Sequence, residues 1–152
     1  MYNFNYHCPS SLQEAESLYA KSEDPMFLAG GHTLLPTMKQ RLNAPTDLID
    51  LAGLTELAGI SREGDVLQIG AYTRHADVAA SELVQTAIPA LAKLARGIGD
   101  TQVRNRGTIG GSVANNDPAA DYPAALLGLG ATVVTTKRAV PADEFFVDMF
   151  ET

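Results

Sequence analysis

The apolar positions of the first residues change period repeatedly, and they predict a strand, a helix and a second strand in succession. Phe4 and Tyr6 alternate with polar neighbours, which is typical of a short strand. The following helix is predicted to begin at Ser11, because Glu14 stands three positions later, at the spacing of a capping box. Residues 26–29 are a brief apolar run of the buried-strand type, which stops at two glycines.

A second helix and a third strand complete this segment. Thr33 is the predicted N-cap of the helix, and Pro36 falls in the first turn, where its missing N–H is tolerated. The buried stripe of this helix is predicted to consist of Leu34, Leu35, Met38 and Leu42. Residues 48–51 are the next strand candidate. This alternation predicts a small α/β lobe over residues 1–52.

Residues 53–152 show a different pattern, which predicts a second α+β lobe. Residues 59–61 and 66–69 flank a turn at residues 63–65, as in an antiparallel hairpin. Helices are predicted at 74–86 and at 88–96, and Gly97 is the expected stop of the latter. The predicted fold class is therefore α+β with two lobes, an N-terminal α/β lobe followed by a lobe with an antiparallel sheet and helices.

The remainder of the second lobe contains the least regular sequence. Residues 97–117 hold five glycines and show no clear helical or strand period, which predicts a long ordered loop. Asp121 is the predicted cap of a further helix, and residues 132–136 are a β-branched strand candidate. The apolar stretch 145–150 predicts either that the tail docks on the core or that a further segment follows, so that this lobe is incomplete at its C-terminus.

Charge and cysteine content exclude several classes of function. Eighteen acidic residues against 11 basic ones give a net charge of −7, which argues against a nucleic-acid partner recognised through its phosphates. Cys8 is the single cysteine, so no internal disulfide is expected and a reducing, cytoplasmic location is favoured. No apolar run reaches the roughly 20 residues of a spanning helix, and the N-terminus does not resemble a signal peptide; we therefore expect no membrane insertion.

Two glycine-rich turns carry the candidate chemistry. The first is Ala29-Gly30-Gly31-His32-Thr33, where successive backbone N–H groups between a strand and a helix can hold an anion. A side chain would block the approach of phosphate oxygens, so glycine suits this position. The alternative is that the glycine pair only makes a tight turn, which is commoner for such a pair alone.

The second turn is Gly107-Thr108-Ile109-Gly110-Gly111-Ser112, followed by Asn115, Asn116, Asp117 and Asp121. Its hydroxyls and glycine N–H groups can donate to phosphate, and the carboxylates can accept from ribose or ring N–H groups. The alternative is an ordered surface loop in which Asp117 and Asp121 are helix caps.

Basic residues are concentrated just before the second turn. Lys93, Arg96, Arg104 and Arg106 outnumber Asp100 between positions 93 and 106, so the local charge favours an anion although the net charge does not. These residues are equally consistent with a solvated surface and with charge complementarity at helix C-termini.

Other catalytic motifs are missing from the sequence. Neither turn has the Gly-Lys-Ser/Thr of a Walker loop or the spacing of a Rossmann fingerprint. The three histidines are scattered, so no metal site is expected, and no catalytic nucleophile is predicted. Any redox chemistry would therefore have to come from a bound cofactor.

The two turns together resemble the FAD-binding domain of the flavin, or medium, subunit of molybdenum hydroxylases of the carbon monoxide dehydrogenase and xanthine dehydrogenase type. The similarity is concentrated at 29–39 and 102–121 and extends over nearly the whole chain. It implies a two-lobed FAD-binding fold with FAD between the lobes. By motif position, the implied FAD-binding residues are Ala29, Gly30, Gly31, His32, Thr33, Leu34, Thr108, Gly110, Gly111, Ser112, Asn115, Asp117 and Asp121.

The resemblance also implies partners. In that family the flavin receives electrons from iron–sulfur clusters on a small subunit and passes them to an external acceptor, while the substrate is oxidised at the molybdenum cofactor of a large subunit. The resembled subunits run on beyond the length of this chain. A shortened or degenerate domain that serves only subunit assembly or nucleotide binding is therefore the alternative function.

Overall fold

The N-terminal lobe is built on a three-stranded parallel sheet. The computed structural model describes all residues from 1 to 152. The strands lie in the order β1-β3-β2, and Leu48 of the central strand pairs with Tyr6 on one side and with Met26 on the other. The elements of this lobe are β1 (Asn5–His7), α1 (Leu12–Lys21), β2 (Pro25–Leu28), α2 (Leu34–Lys39) and β3 (Asp47–Asp50). The predicted α/β alternation is confirmed.

Adjacent residues of the central strand bury opposite faces of the sheet. Ile49 packs with Ala15 of α1, whereas Leu48 packs with Met38 of α2 and Leu28 of β2. This follows from the two-residue period of a strand, which sends successive side chains to opposite sides. The two helices therefore cover the two faces of the sheet, and the turn between β2 and α2 lies at the carboxyl edge of the strands.

Helix α1 begins as the sequence predicts, with a change in one partner. The Ser11 hydroxyl accepts a hydrogen bond from the Glu14 N–H at 3.2 Å. The Glu14 carboxylate accepts from the backbone N–H of Ser10 at 2.8 Å and from the Ser10 hydroxyl, rather than from Ser11. These two bonds lower the pKa of Glu14. The capping box is therefore altered, because the Glu14 carboxylate bonds to Ser10, one residue before the N-cap Ser11.

The second lobe combines two antiparallel hairpins with a group of helices. The predicted hairpin is confirmed as β4 (Ile60–Glu63) and β5 (Val66–Ile69), and a second one is formed by β6 (Thr132–Val134) and β7 (Ala139–Pro141). The helices are α3 (His75–Ala80), α4 (Glu82–Ala87), α5 (Pro89–Gly97), α6 (Thr101–Arg104), α7 (Ile109–Asn115), α8 (Asp121–Gly128) and α9 (Ala142–Phe145).

One apolar core holds these helices together. Nine buried residues from α3, α4, α5, α7 and α8 form it, and Tyr122 is the largest of them, with no exposed surface. Ile109 and Val113 of α7 belong to this core. The glycine-rich turn that precedes α7 is therefore anchored to the densest part of the molecule, which restricts its movement.

The predicted loop over residues 97–117 is wrong, because it contains two short helices. Asp100 caps α6 by accepting from the Val103 N–H at 2.8 Å, and Thr108 caps α7 by accepting from the Gly111 N–H at 3.2 Å. Glycines at α7 positions hide the helical period, since they contribute no apolar side chain to it. The predicted helix 74–86 is likewise two helices, and Ser81 caps the second of them.

Three smaller expectations about caps and stripes are met in part or are wrong. Thr33 occupies the N-cap position of α2 as predicted, but it has helical backbone angles and makes no side-chain capping bond. Asp121 is the first residue of α8, and Ala120 occupies the N-cap position. Leu42 lies beyond α2 and is 75% exposed.

The C-terminal apolar stretch divides between core and surface. Phe145 and Phe146 are half-buried against the core of the second lobe, with their rings edge to face at 5.3 Å between centroids. Val147, Met149 and Phe150 are mostly exposed.

The helices are all too short or too polar to span a membrane.

Asn116 fastens this terminal segment to the end of α7. It adopts a left-handed conformation, with φ at 44°, that asparagine tolerates better than most residues. Its side-chain amide donates to the carbonyl oxygens of Asp148 and Glu151 at 2.8 and 3.1 Å, and its own carbonyl accepts from the Phe150 N–H. One residue thus ends a helix and binds the chain terminus.

We expect Asn116→Ala to lower the free energy of unfolding by about 1–3 kcal/mol, because two buried carbonyl bonds and the left-handed preference are lost together. Urea denaturation followed by circular dichroism measures the effect, and faster amide exchange at Phe150 should accompany it. Asn105→Ala is the matched control, since its amide makes one exposed bond to Thr101. Equal losses in the two variants would contradict a clamping role for Asn116.

Candidate functional site

The structure brings the two glycine-rich turns into direct contact. Gly30 lies against the backbone of Arg106 and Gly107, so a Cβ placed on Gly30 would be 2.6 Å from the Gly107 Cα. A Cβ on Gly111 would be 3.8 Å from the Cβ of Ala29. The turns therefore face each other across the junction of the two lobes, and only glycine permits the approach at position 30.

The backbone N–H groups of the first turn have no partner within the chain. The amides of residues 30–34 donate to no backbone carbonyl and to no side chain. The turn is completed instead by Leu35, whose N–H donates to the Gly31 carbonyl at 3.2 Å, and Gly31 has a positive φ of 75°. His32 and Thr33 are exposed. Five successive backbone N–H donors without a partner need an acceptor from outside the chain, which is either water or an anion.

The second turn differs, because its amides are paired inside the protein. The Ile109 N–H donates to Thr73 at 3.0 Å, and the Gly110 N–H donates to Ala71 at 2.8 Å. The amides of Gly111 and Ser112 bond to the hydroxyl and the carbonyl of Thr108. The expectation that these glycines offer free N–H groups to phosphate is therefore wrong. Their absent side chains still matter, since Gly110 packs tightly against Ala71 and Gly111 leaves room beside Ala29 of the first turn.

The side chains predicted in the second turn have different environments. Thr108 is buried, and its hydroxyl is engaged as the cap of α7. The Ser112 hydroxyl and the Asn115 amide are half-buried and make no side-chain hydrogen bond. These two groups are available to a ligand, whereas Thr108 has a structural task.

The two aspartates lie apart from the contact between the turns. The Asp117 carboxylate accepts from the Ala119 N–H at 2.8 Å, which makes a local turn. Asp121 lies with Lys93 on a depression of about 400 Å³ between α5 and α8, which Ala90, Leu94 and Gly97 also line. No hydrogen bond joins either aspartate to the glycine turns.

The segment that connects β5 to α3 packs against the second turn, and this contact was not predicted from the sequence. Residues 71–75 connect β5 to α3, and Arg74 pairs with Thr108 in an isolated antiparallel bridge. The His75 N–H donates to the Gly107 carbonyl at 3.0 Å, and its ring leaves no space for a Cβ on Gly107. Such long-range pairing has no local period, so sequence alone could not reveal it.

His75 and Tyr122 are buried polar residues that contact each other next to the second turn. Their ring centroids are 5.4 Å apart, and neither His75 Nδ1 nor the Tyr122 hydroxyl has a hydrogen-bond partner. Burial, with a smaller contribution from the nearby His32, lowers the pKa of His75 to about 4. Burial likewise raises the pKa of Tyr122, with a smaller contribution from Asp121. Both residues are therefore neutral at pH 7, so no charge lies beneath the second turn.

Comparison with known proteins gives matches over nearly the whole chain. Residues 2–152 match the family model described as the FAD binding domain in molybdopterin dehydrogenase. The chain is 45% identical to the carbon monoxide dehydrogenase medium chain of Hydrogenophaga pseudoflava, in an alignment that covers 98% of this chain and 54% of the relative. It is 38% identical to the glyceraldehyde dehydrogenase medium chain of Sulfolobus acidocaldarius, with the same two coverages.

Solved structures agree with the sequence comparison. Carbon monoxide dehydrogenase from Hydrogenophaga pseudoflava superposes with a TM-score of 0.95 over 99% of this chain and 54% of the matched chain, at 45% identity. The predicted α+β fold is thus confirmed, and it is the fold of the matched part of that chain. The chain spans about half the length of the curated relatives it matches.

The buried His75 should make folding stability depend on pH. The unfolded residue takes up a proton near its ordinary pKa of 6.5, whereas the folded residue does so only near 4, so stability falls as the pH is lowered between these values. We expect a loss of about 2 kcal/mol from this group between pH 7 and pH 5.

Urea denaturation across this pH range tests the prediction. His75→Gln should lack this part of the pH dependence, while His32→Gln, which changes an exposed histidine, should retain it. If the wild type and His75→Gln lost stability in parallel, His75 would not be the titrating group.

Proposed function

Because the chain belongs to the family of FAD binding domains in molybdopterin dehydrogenases, we propose that it is the FAD-holding, electron-transferring component of an oxidoreductase complex. FAD is the cofactor of this family. The proposal concerns which residues hold FAD and what the chain contributes to the complex.

The unpaired amides of residues 30–34 are the observation that carries the proposal. They lie at the carboxyl edge of the parallel sheet and next to the second turn, where Gly30 allows the two backbones to touch and Gly111 leaves space beside Ala29. A diphosphate offers several acceptor oxygens within a few ångströms, which matches a row of backbone donors. The residues of the first turn, Ala29 to Leu34, therefore fit the diphosphate of FAD.

The acidic character of the whole protein does not oppose this binding. A net charge of −7 is screened over roughly 8 Å at physiological salt. Each hydrogen bond to a charged group contributes about 1.5–3 kcal/mol locally. Donors in contact with the diphosphate therefore outweigh distant carboxylates.

The second turn and the residues after it would form the other wall. Gly111 keeps it thin on the side of Ala29, and Ser112 and Asn115 present polar side chains without partners. The depression beside Asp121 combines apolar contacts from Leu94 and Ala90 with a carboxylate. An aromatic ring with N–H donors suits such a surface, so we assign the flavin ring to this side, with Asp121 as an acceptor and Asp117 towards the ribityl chain.

When bound, FAD supplies the two-electron redox chemistry that no side chain of this protein offers. The chain's own contribution is to bind and orient it, and no residue is assigned a catalytic role. The relatives named above are medium chains, which indicates complexes of several subunits. We propose partners of the same kind here: an iron–sulfur small subunit that delivers electrons and a molybdenum-cofactor large subunit that oxidises the substrate.

The alternative, a degenerate domain for assembly or nucleotide binding alone, is less well supported. The family match runs from residue 2 to residue 152, and the amide row and the glycines at the contact are all present. A degenerate domain would be under no pressure to keep them.

The purified chain should show flavin absorbance bands or acquire them when FAD is added, with a rise in melting temperature. A chain that stays colourless and gains no stability from FAD would refute FAD binding. A chain that is stabilised by ADP to the same extent as by FAD would support the nucleotide-binding alternative instead.

Gly111→Val should abolish FAD binding, because its Cβ would lie 2.8 Å from the Thr108 hydroxyl and 3.8 Å from Ala29, so that the side chain crowds both turns. Fluorescence titration of FAD measures the affinity, and circular dichroism checks that the variant is folded. Gly128→Val is the matched control, since Gly128 is also helical and has nothing within 4 Å of the added Cβ. Wild-type FAD affinity in Gly111→Val would show that FAD does not lie between the turns.

A further inference from the structure

Two arginines flank the contact between the glycine turns, and neither is used by the fold. Arg106 immediately precedes Gly107, and its backbone lies against Gly30. Arg74 faces Thr108 across the isolated bridge at the other side of the second turn. Both side chains are exposed, and neither guanidinium makes a salt bridge or a hydrogen bond.

The other basic residues of this region have partners or lie elsewhere. Arg104 donates to the carbonyl oxygens of Ile98 and Gly99 and to the hydroxyl of Thr101. Arg96 donates to the carbonyl oxygen of Ala79. Lys93 lines the depression beside Asp121. At the two turns, Arg74 and Arg106 are therefore the basic residues that provide the local positive charge.

Tyr72 lies within electrostatic range of both guanidinium groups. Burial and Asp50 raise the pKa of its hydroxyl, while the charges of Arg106 and Arg74 lower it by less. The oxygens of Asp50 already accept from the Tyr6 hydroxyl and the Ala52 N–H. Asp50 forms no ion pair with either arginine.

We propose that Arg74 and Arg106 bind the diphosphate of the dinucleotide together with the amides of residues 30–34, and that they determine the preference of the site for FAD over flavins without a diphosphate. A guanidinium group fits phosphate oxygens with two parallel N–H donors and stays charged at every physiological pH. The inference rests on the proposed FAD-binding function and adds to it the residues that set its ligand specificity.

The amides alone would hold the diphosphate without neutralising its charge. Backbone N–H groups contribute partial charges only, whereas two guanidinium groups match the two negative charges of a diphosphate diester. In a protein with a net charge of −7, such neutralisation at the point of contact also keeps binding from weakening at low salt.

The test compares ligands with and without the diphosphate in Arg74→Gln and Arg106→Gln. Each substitution should weaken the binding of FAD, and of ADP in competition, by about tenfold to a hundredfold, because one charge-assisted contact is lost. Binding of riboflavin and adenosine should change by less than about twofold. Arg106→Lys should recover part of the FAD affinity, since it keeps the charge but not the paired donors.

Arg138→Gln is the matched control. Arg138 is also exposed, its side chain makes no bond, and it lies in the β6–β7 turn, so the variant changes the net charge equally. Wild-type FAD affinity in both arginine variants, or an equal loss in Arg138→Gln, would overturn the inference while leaving FAD binding intact. If the wild-type chain bound no FAD at all, the proposed function and this inference would fail together.

Discussion

The absence of a side chain at Gly30 is the constraint on which the site depends. Its Cα lies so close to Gly107 that a single methyl group would push the two turns apart. This contact joins the end of β2 in the first lobe to the entrance of α7 in the second. Because α7 is anchored by Ile109 and Val113 in the main core, the first turn is positioned by the packing of the second lobe.

The two turns have the same kind of sequence but perform different physical tasks. The first keeps its amides unpaired, which costs free energy unless a ligand or water accepts from them, whereas the second satisfies its own through Ala71, Thr73 and Thr108. Because the second turn is rigid and its amides are already paired, a ligand can bind to the unpaired amides of the first turn with little reorganisation of the protein. The neutral His75 and Tyr122 contribute to this wall, because a buried charge there would have to be compensated.

Sequence predicted the features that depend on neighbouring residues and missed those that depend on distant ones. The alternating strands and helices of the α/β lobe, the hairpin at 60–69 and the cap at Ser11 follow from local period and spacing, and all are observed. The helices within 97–117 were missed because glycines conceal their period. The pairing of the second-turn amides with residues 71 and 73 and the bridge from Arg74 to Thr108 could not be predicted, since nothing local to either segment requires them.

The charges around α7 fit the proposed dinucleotide better than they fit the helix itself. Arg74 and Arg106 lie near the N-terminal end of α7, where the helix dipole disfavours positive charge, and the helix is only about 10 Å long. Asp117 and Asp121 follow its C-terminal end, although Asp121 also favours α8 as an acidic residue in its first turn. Water solvates the two exposed guanidinium groups, so this placement costs little, and a diphosphate bound as proposed would make it favourable. In the proposed binding mode the basic end would face the diphosphate and the acidic end would face the flavin ring N–H, so the polarity of the site would match the polarity of FAD.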